Sequence, residues 1–386
     1  MRPAVAKTCV FCGNAPEDKT KEHVIPKWML RMSGQENREA FFGVRYSEGP
    51  EKLAVHRHAF GAYTFPACAS CNATFAQLEY LAKGVFEKLL SESTVSASEV
   101  EILFDWLDKV RVGLWLAGRM LGTNIFRAAN PRFAIADRIG LEDRWAKITL
   151  LPESVGEGLT YSGVGSPLFG SMPSAFALRI NRLVILNASS GRLVTRSLGL
   201  PYPETKRFRT PDGPYYQTNV SFGKKRILPN MMDFGSLFGG LEVFQPAYPF
   251  LLKHCEKQFR NEYAERFFVD LETLRAKPLL KIGRDIKAID NLGAPEFERM
   301  RHQPDESFPN AFSRSSLILQ NYVSKEGFYG GPPISQRQFE KQQTLARQLR
   351  GLNKTLLRMM ARQVAAPSMS NDGSAEMDKG LRVFSI

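Results

Sequence analysis

Cysteine is scarce in this chain: five in 386 residues, too few and too unevenly placed for a disulfide scaffold. Histidine is as sparse, also five, so each one is worth locating. Long uninterrupted apolar runs are missing. The most apolar stretch, Ile102 to Gly122, is broken by Asp105, Asp108, Lys109, Arg111 and Arg119, which excludes a membrane span there. The N-terminus has no apolar core of the kind a secretory signal needs, so a cytoplasmic protein is expected. Internal repeats and low-complexity tracts are absent. With 43% hydrophobic and 24% charged residues, wholesale disorder is excluded too. Positive charge is present in excess. Lys and Arg number 52 against 39 Asp and Glu, a net +13, which suggests a polyanionic partner and says nothing about fold.

The length allows two domains at roughly 150 residues each, with room for a tail. Residues 1–90 hold four of the five cysteines and three of the five histidines. Asn72 to Leu90 has the apolar spacing of a helix (Phe75, Leu78, Val85, Phe86, Leu89). Ser91 to Ser98 is a polar joint. A second helix is expected from Glu99 to about Gly122, apolar nearly all round and therefore buried in a larger body. Ile148 to Leu151, Phe176 to Leu186 and Arg192 to Arg196 read as strands, the last two joined by a hairpin loop at Ala188 to Gly191. Pro211 to Pro214 reads as a turn leading into a strand from Tyr215 to Phe222. Helical patterns return near Pro249 to Leu274 and, strongly, from Ser335 to Gln363. The expected class is α+β: a small N-terminal unit (1–90), a mixed body (99–365) and a loose tail (366–386).

Four cysteines form two pairs, Cys9-Val-Phe-Cys12-Gly13 and Cys68-Ala-Ser-Cys71-Asn72. Each C-x-x-C knuckle offers two thiolates from a tight turn, and four thiolates close a structural zinc site. Gly13 permits the left-handed backbone that such a turn often requires. The stretch between Cys12 and Cys68 is long for a simple zinc ribbon, so something sizeable is looped out between the knuckles.

That stretch contains Thr20-Lys-Glu22-His23-Val-Ile-Pro26-Lys-Trp, and Asn72 follows the second knuckle directly. The combination over residues 7–90 resembles the HNH endonuclease family, in the subgroup whose ββα-metal unit is stapled by a four-cysteine zinc. The resemblance implies a metal-dependent endonuclease acting on DNA, with His23 as general base and Glu22 and Asn72 as ligands of a catalytic Mg²⁺ or Mn²⁺. The chemistry is coherent, because phosphodiester hydrolysis needs a base for water and a hard cation for developing negative charge. Glu79, two turns beyond Asn72 on the same helical face, extends that polar stripe towards the metal as a further candidate. The family places an Asn shortly before the second knuckle to orient the imidazole. Here that position is Tyr63, so either a backbone carbonyl, Thr64 or the His56/His58 pair does this work or the site is weakened. His254 and Cys255 read as packing residues. A zinc-stapled adaptor with an inactive site and a ligand-gated nuclease are the alternatives. Restriction, homing, mobile-element and phage-defence roles are not distinguished.

Two segments carry eleven of the net +13. In 206–226, Lys206, Arg207, Arg209, Lys224, Lys225 and Arg226 interleave with Phe208, Tyr215, Tyr216 and Phe222, a pattern suited to phosphate contact and base stacking. In 335–363, Arg347, Arg350, Lys354 and Arg358 form a stripe for DNA backbone contact. On the same helix Leu345, Leu349, Leu352, Leu356 and Met359 form an apolar seam for a neighbouring helix or a homo-oligomer. That seam lacks bulky aromatics, so no membrane partner is expected.

Overall fold

The computed structural model describes residues 8–34, 39–46, 53–59, 64–120, 134–140, 142–189, 202–210, 213–221, 238–246, 261, 264–265, 269–270, 275–283, 285–324 and 336–365. The first elements are β1 (Thr20–His23), α1 (Lys27–Met32), β2 (Glu39–Tyr46), β3 (Leu53–Ala59), β4 (Thr64–Ala67) and α2 (Ala69–Leu90). Strands β1 and β4 pair antiparallel, and β2 and β3 form the hairpin looped out between the knuckles. The short β5 (Val95–Ser96) then leads into α3 (Ala97–Met120).

The body follows with β6 (Arg144–Leu150), β7 (Leu159–Ser162), α4 (Pro167–Ser171), β8 (Ala175–Ile180) and β9 (Leu183–Ser189). Next come β10 (Tyr202–Thr210), β11 (Gly213–Ser221), β12 (Leu241–Gln245), β13 (Val269–Asp270), β14 (Arg275–Ala276), β15 (Leu279–Ile282) and β16 (Asp285–Ala288). The last described elements are β17 (Asn291–Leu292), α5 (Ala294–Met300), α6 (Phe308–Val323) and α7 (Gln336–Ala365). The class is α+β, as expected.

A seven-stranded antiparallel sheet, ordered β16-β15-β12-β6-β9-β8-β7, organises the body. Alternation along β6 sorts its side chains. Ala146, Ile148 and Leu150 face α3 and the N-terminal unit, whereas Trp145 faces α6. Both faces are covered, which is why β9 is buried at every position and reads as a continuous apolar run, not an alternating one. The first face belongs to one apolar cluster that runs from Phe11, Ile25 and Phe86 through Trp106 to Ile185 and Val243. The N-terminal unit and the body therefore share a core.

The Phe176–Leu186 run, expected to be one strand, is two. It folds back at Asn181, whose φ of +51° a short polar side chain tolerates in a tight turn. Strand β9 accordingly continues to Ser189, where the hairpin loop was expected. Residues 192–196, and most of 249–274 including His254 and Cys255, lie outside the described residues.

Several charged residues on or against the buried helix α3 have close partners. Arg111 donates to the Asp108 carboxylate at 2.5 Å, to Asn187 Oδ1 at 2.5 Å and to the Pro173 carbonyl at 2.8 Å. Arg144 donates to Asp105, to Asp108 and to Gln245 Oε1. The Gly140 amide donates to Asp108 at 3.1 Å. A buried ion needs this density of partners, because its own desolvation outweighs any single pairing.

Candidate functional site

The two knuckles meet. The first begins where the Cys9 amide donates to the Asn14 carbonyl at 2.7 Å, and Gly13 (φ +77°) donates back to the Cys9 carbonyl at 2.9 Å. The second opens α2: Cys68 precedes its first residue, and the Asn72 amide donates to the Cys68 carbonyl at 2.9 Å. Val10 donates to Pro66 on β4, at 3.0 Å, and the Cys68 amide donates to Cys9 Sγ at 3.3 Å. The four sulfurs of Cys9, Cys12, Cys68 and Cys71 lie within 4.8 Å of one another, with Cys12 and Cys68 3.9 Å apart.

A tetrahedral ion with metal–sulfur bonds near 2.3 Å wants sulfurs about 3.8 Å apart, so the cluster fits one metal ion. Burial raises the Cys9 thiol, but hydrogen bonds from the backbone of Cys12, Cys68 and Phe11 outweigh it and bring Cys9 down to about 7. Burial, with hydrogen bonding to Cys12 and the nearby Cys9 charge, pushes Cys71 up to about 12. A cluster whose thiols cannot all ionise at neutral pH without a cation is suited to receiving one.

Next to the cluster, β1 carries Glu22 and His23, with His23 opposite Thr64 and Glu22 opposite Phe65 in register. Asn72 Nδ2 donates to Thr20 Oγ1 at 3.1 Å, and that hydroxyl donates to the Ala67 carbonyl at 3.2 Å. The first turn of α2 is thereby fastened to the strand that bears Glu22 and His23. Burial, then the charges of Lys27 and Lys109, push His23 below its ordinary value, so its imidazole is neutral near pH 7. Tyr63 lies outside the described residues. His56 and His58 sit on β3, as expected of a strand pair, but their side chains also lie outside them.

Behind Glu22 the sequence reading missed a residue. Lys109 on α3 is 3% exposed, and its ammonium donates to Glu22 at 2.6 Å and also to Glu79. The second oxygen of Glu79 accepts from Trp28 Nε1 at 2.7 Å and Trp106 Nε1 at 3.0 Å. Glu79, offered as an extension of the polar stripe, is thus held by three protein donors. Burial pushes the Glu22 carboxyl up, with Lys109 opposing and Glu79 adding to the shift. Burial works against the Lys109 ammonium, but Glu79 and Glu22 outweigh it and hold the lysine above its ordinary value. The signal was available: a lysine inside an all-round apolar helix demands a buried carboxylate partner.

The basic segments are only partly described. Lys206, Arg207 and Arg209 lie on β10, paired in full register with β11, and their side chains are outside the described residues, as are residues 224–226. On α7, Arg347, Lys354 and Arg358 are exposed. Arg350 is half-buried and donates to the Ser324 carbonyl at 2.7 Å. The apolar seam divides. Leu349, with Ala346, Asn353 and Met360, is buried where α7 packs on α4 and α6. Leu345, Leu352 and Met359 stand 40%, 44% and 51% exposed. The seam is drawn partly into the body because the helix turns its 346–349–353–360 stripe towards it. Among the described residues no helix is long and apolar enough to cross a membrane.

No protein-family model, no curated protein and no solved structure matches this chain. What its own residues establish is an α+β protein with a four-cysteine cluster able to hold a metal ion, built beside a strand carrying Glu22 and His23.

Proposed function

We propose that the chain is an HNH-type, metal-dependent endonuclease that hydrolyses DNA, with the N-terminal unit as its nuclease module. The observation that supports this best is the pairing of Asn72 with Thr20 next to the four-sulfur cluster. Thr20 shares its strand with Glu22 and His23, so Asn72 is tied to the strand that carries the other two residues of the resemblance. The ion in the sulfur cluster is zinc and is structural, since four thiolates leave no open position for substrate.

His23 takes the proton of the attacking water, a role that its neutral state near pH 7 suits. Glu22 and Asn72 offer oxygen ligands to a Mg²⁺ or Mn²⁺ ion, which when bound neutralises charge on the phosphate and the leaving oxygen. The basic stripe of α7 and the β10–β11 hairpin supply the contacts to the DNA backbone. A second reading, a zinc-stapled DNA-binding or adaptor protein without catalysis, is favoured by the engagement of Glu22 with Lys109. Incubation of the purified protein with duplex DNA separates the two. Cleavage with Mg²⁺ or Mn²⁺ supports the nuclease, and binding without cleavage under any divalent ion overturns it in favour of the adaptor.

A further inference from the structure

Lys109 on α3 links the body to the N-terminal unit. Its ammonium reaches three parts of the N-terminal unit at once. It donates to Glu22 on β1 at 2.6 Å, it donates to Glu79 on α2, and it stands 5.9 Å from the centre of the Phe11 ring in the first knuckle. Phe11 in turn stacks on Phe75 of α2, with centroids 4.0 Å apart. Glu79 is itself fixed through Trp28 and Trp106, two indoles whose rings lie 5.8 Å apart. The carboxylate of Glu22 is therefore tied, through one ammonium, to a rigid aromatic base. His23 is its immediate neighbour in the chain.

We propose that Lys109, supplied by the body helix α3, is a positioning residue of the candidate site: it holds Glu22 and so fixes the Glu22–His23 strand against α2. This rests on the nuclease reading for its catalytic consequence, and on geometry alone for the positioning itself. Lys109 does not touch substrate, being buried. It acts through Glu22. The site is in that sense shared between the N-terminal unit and the body, because the residue that sets the strand comes from beyond the second knuckle.

Three measurements on the full-length protein test it. In a double-mutant cycle of Lys109→Met and Glu22→Gln, directly interacting groups fail to combine independently. The double variant should have an equilibrium folding constant at least about tenfold above that expected from the product of the two single effects. Values that multiply within twofold overturn the proposal.

In a cleavage assay with Mg²⁺, Lys109→Met should lower kcat by about 100-fold, the usual cost of a displaced catalytic group, with KM for DNA unchanged. Lys109→Arg, which keeps the charge, should recover most of the loss. An unchanged kcat in Lys109→Met overturns the proposal even if the cycle shows coupling. A wild type inert on DNA would sink the nuclease reading alone. The remaining measurement, the His23 ring proton resonance, then decides. It should shift in Lys109→Met, and a resonance at the wild-type position overturns the positioning role.

Discussion

Asp108→Asn is the perturbation whose cost the structure lets one work out most fully. The side chain is fully buried and serves as the only carboxylate hydrogen-bonded to Arg111 among the described residues, whose other acceptors there are neutral: Asn187 Oδ1 and the Pro173 carbonyl. Arg144, by contrast, also has Asp105. The amide keeps the shape and removes the charge, leaving Arg111 buried without a counter-ion. Two unit charges about 4 Å apart interact by about 4 kcal/mol at an effective dielectric constant of 20. Breaking a buried pair by removing one partner costs about 3–5 kcal/mol, which agrees. Set against a total stability of about 5–15 kcal/mol, that loss should move the urea midpoint of unfolding far below wild type.

Two companions make the reasoning specific. Asp105→Asn should cost less, since Arg144 keeps Asp108 and Arg275 is largely exposed. Asp108→Asn combined with Arg111→Met should recover part of the loss, because the unpaired charge is gone. Tryptophan fluorescence in a urea titration reads all three. If Asp108→Asn lies within about 1 kcal/mol of wild type, the ion pair is solvated in solution and the argument fails.

The other predictions concern the site and its surface. Metal analysis should find one tightly held zinc per chain, and Cys71→Ser should lose it together with the fold of the N-terminal unit. Binding must strip protons from thiols whose pKa values reach about 12, so the metal-bound fraction should fall as pH is lowered; pH-independent retention would contradict four-thiolate ligation. If α7 contacts DNA, replacing Arg347, Lys354 and Arg358 by Gln should reduce the salt slope of binding by about 3 units. Adding Arg350→Gln should change the slope little further, because Arg350 is engaged by Ser324. An unchanged slope would remove the helix from the DNA surface. Cleavage, if His23 is the base, should rise with pH through an apparent pKa below 6.5, since only the neutral imidazole accepts the proton. An ascending limb above 7 would point to a different group.

The sequence carried different parts of this picture with different clarity. Helices α2, α3 and α7 were legible within a few residues, because each is long and periodic. The cysteine knuckles were legible because the chemistry of thiolates restricts their spacing. The β8–β9 hairpin was hidden, since both faces of the sheet are covered and no alternation marks where the chain reverses. Asn181, the single polar residue with turn capacity inside that run, was the available clue. Helix α6 was also missed. Its buried face includes Ser315, Ser316, Gln320 and Asn321, which look solvent-facing in sequence, but Gln320 spends its amide on the carbonyls of Gly163 and Ala175. Lys109 escaped because it was read as an interruption of an apolar run. Its partners, Glu22 and Glu79, are distant in sequence, and only the packing of α3 against α2 brings them to it.

The most direct measurement of the central claim compares wild type with His23→Ala on supercoiled plasmid DNA in Mg²⁺ or Mn²⁺, at matched zinc content and matched melting temperature. Wild type should nick or linearise the plasmid, and the variant should lose at least about 100-fold in rate, the scale of general-base catalysis. Equal rates in the two proteins, with zinc and fold intact in both, would contradict it.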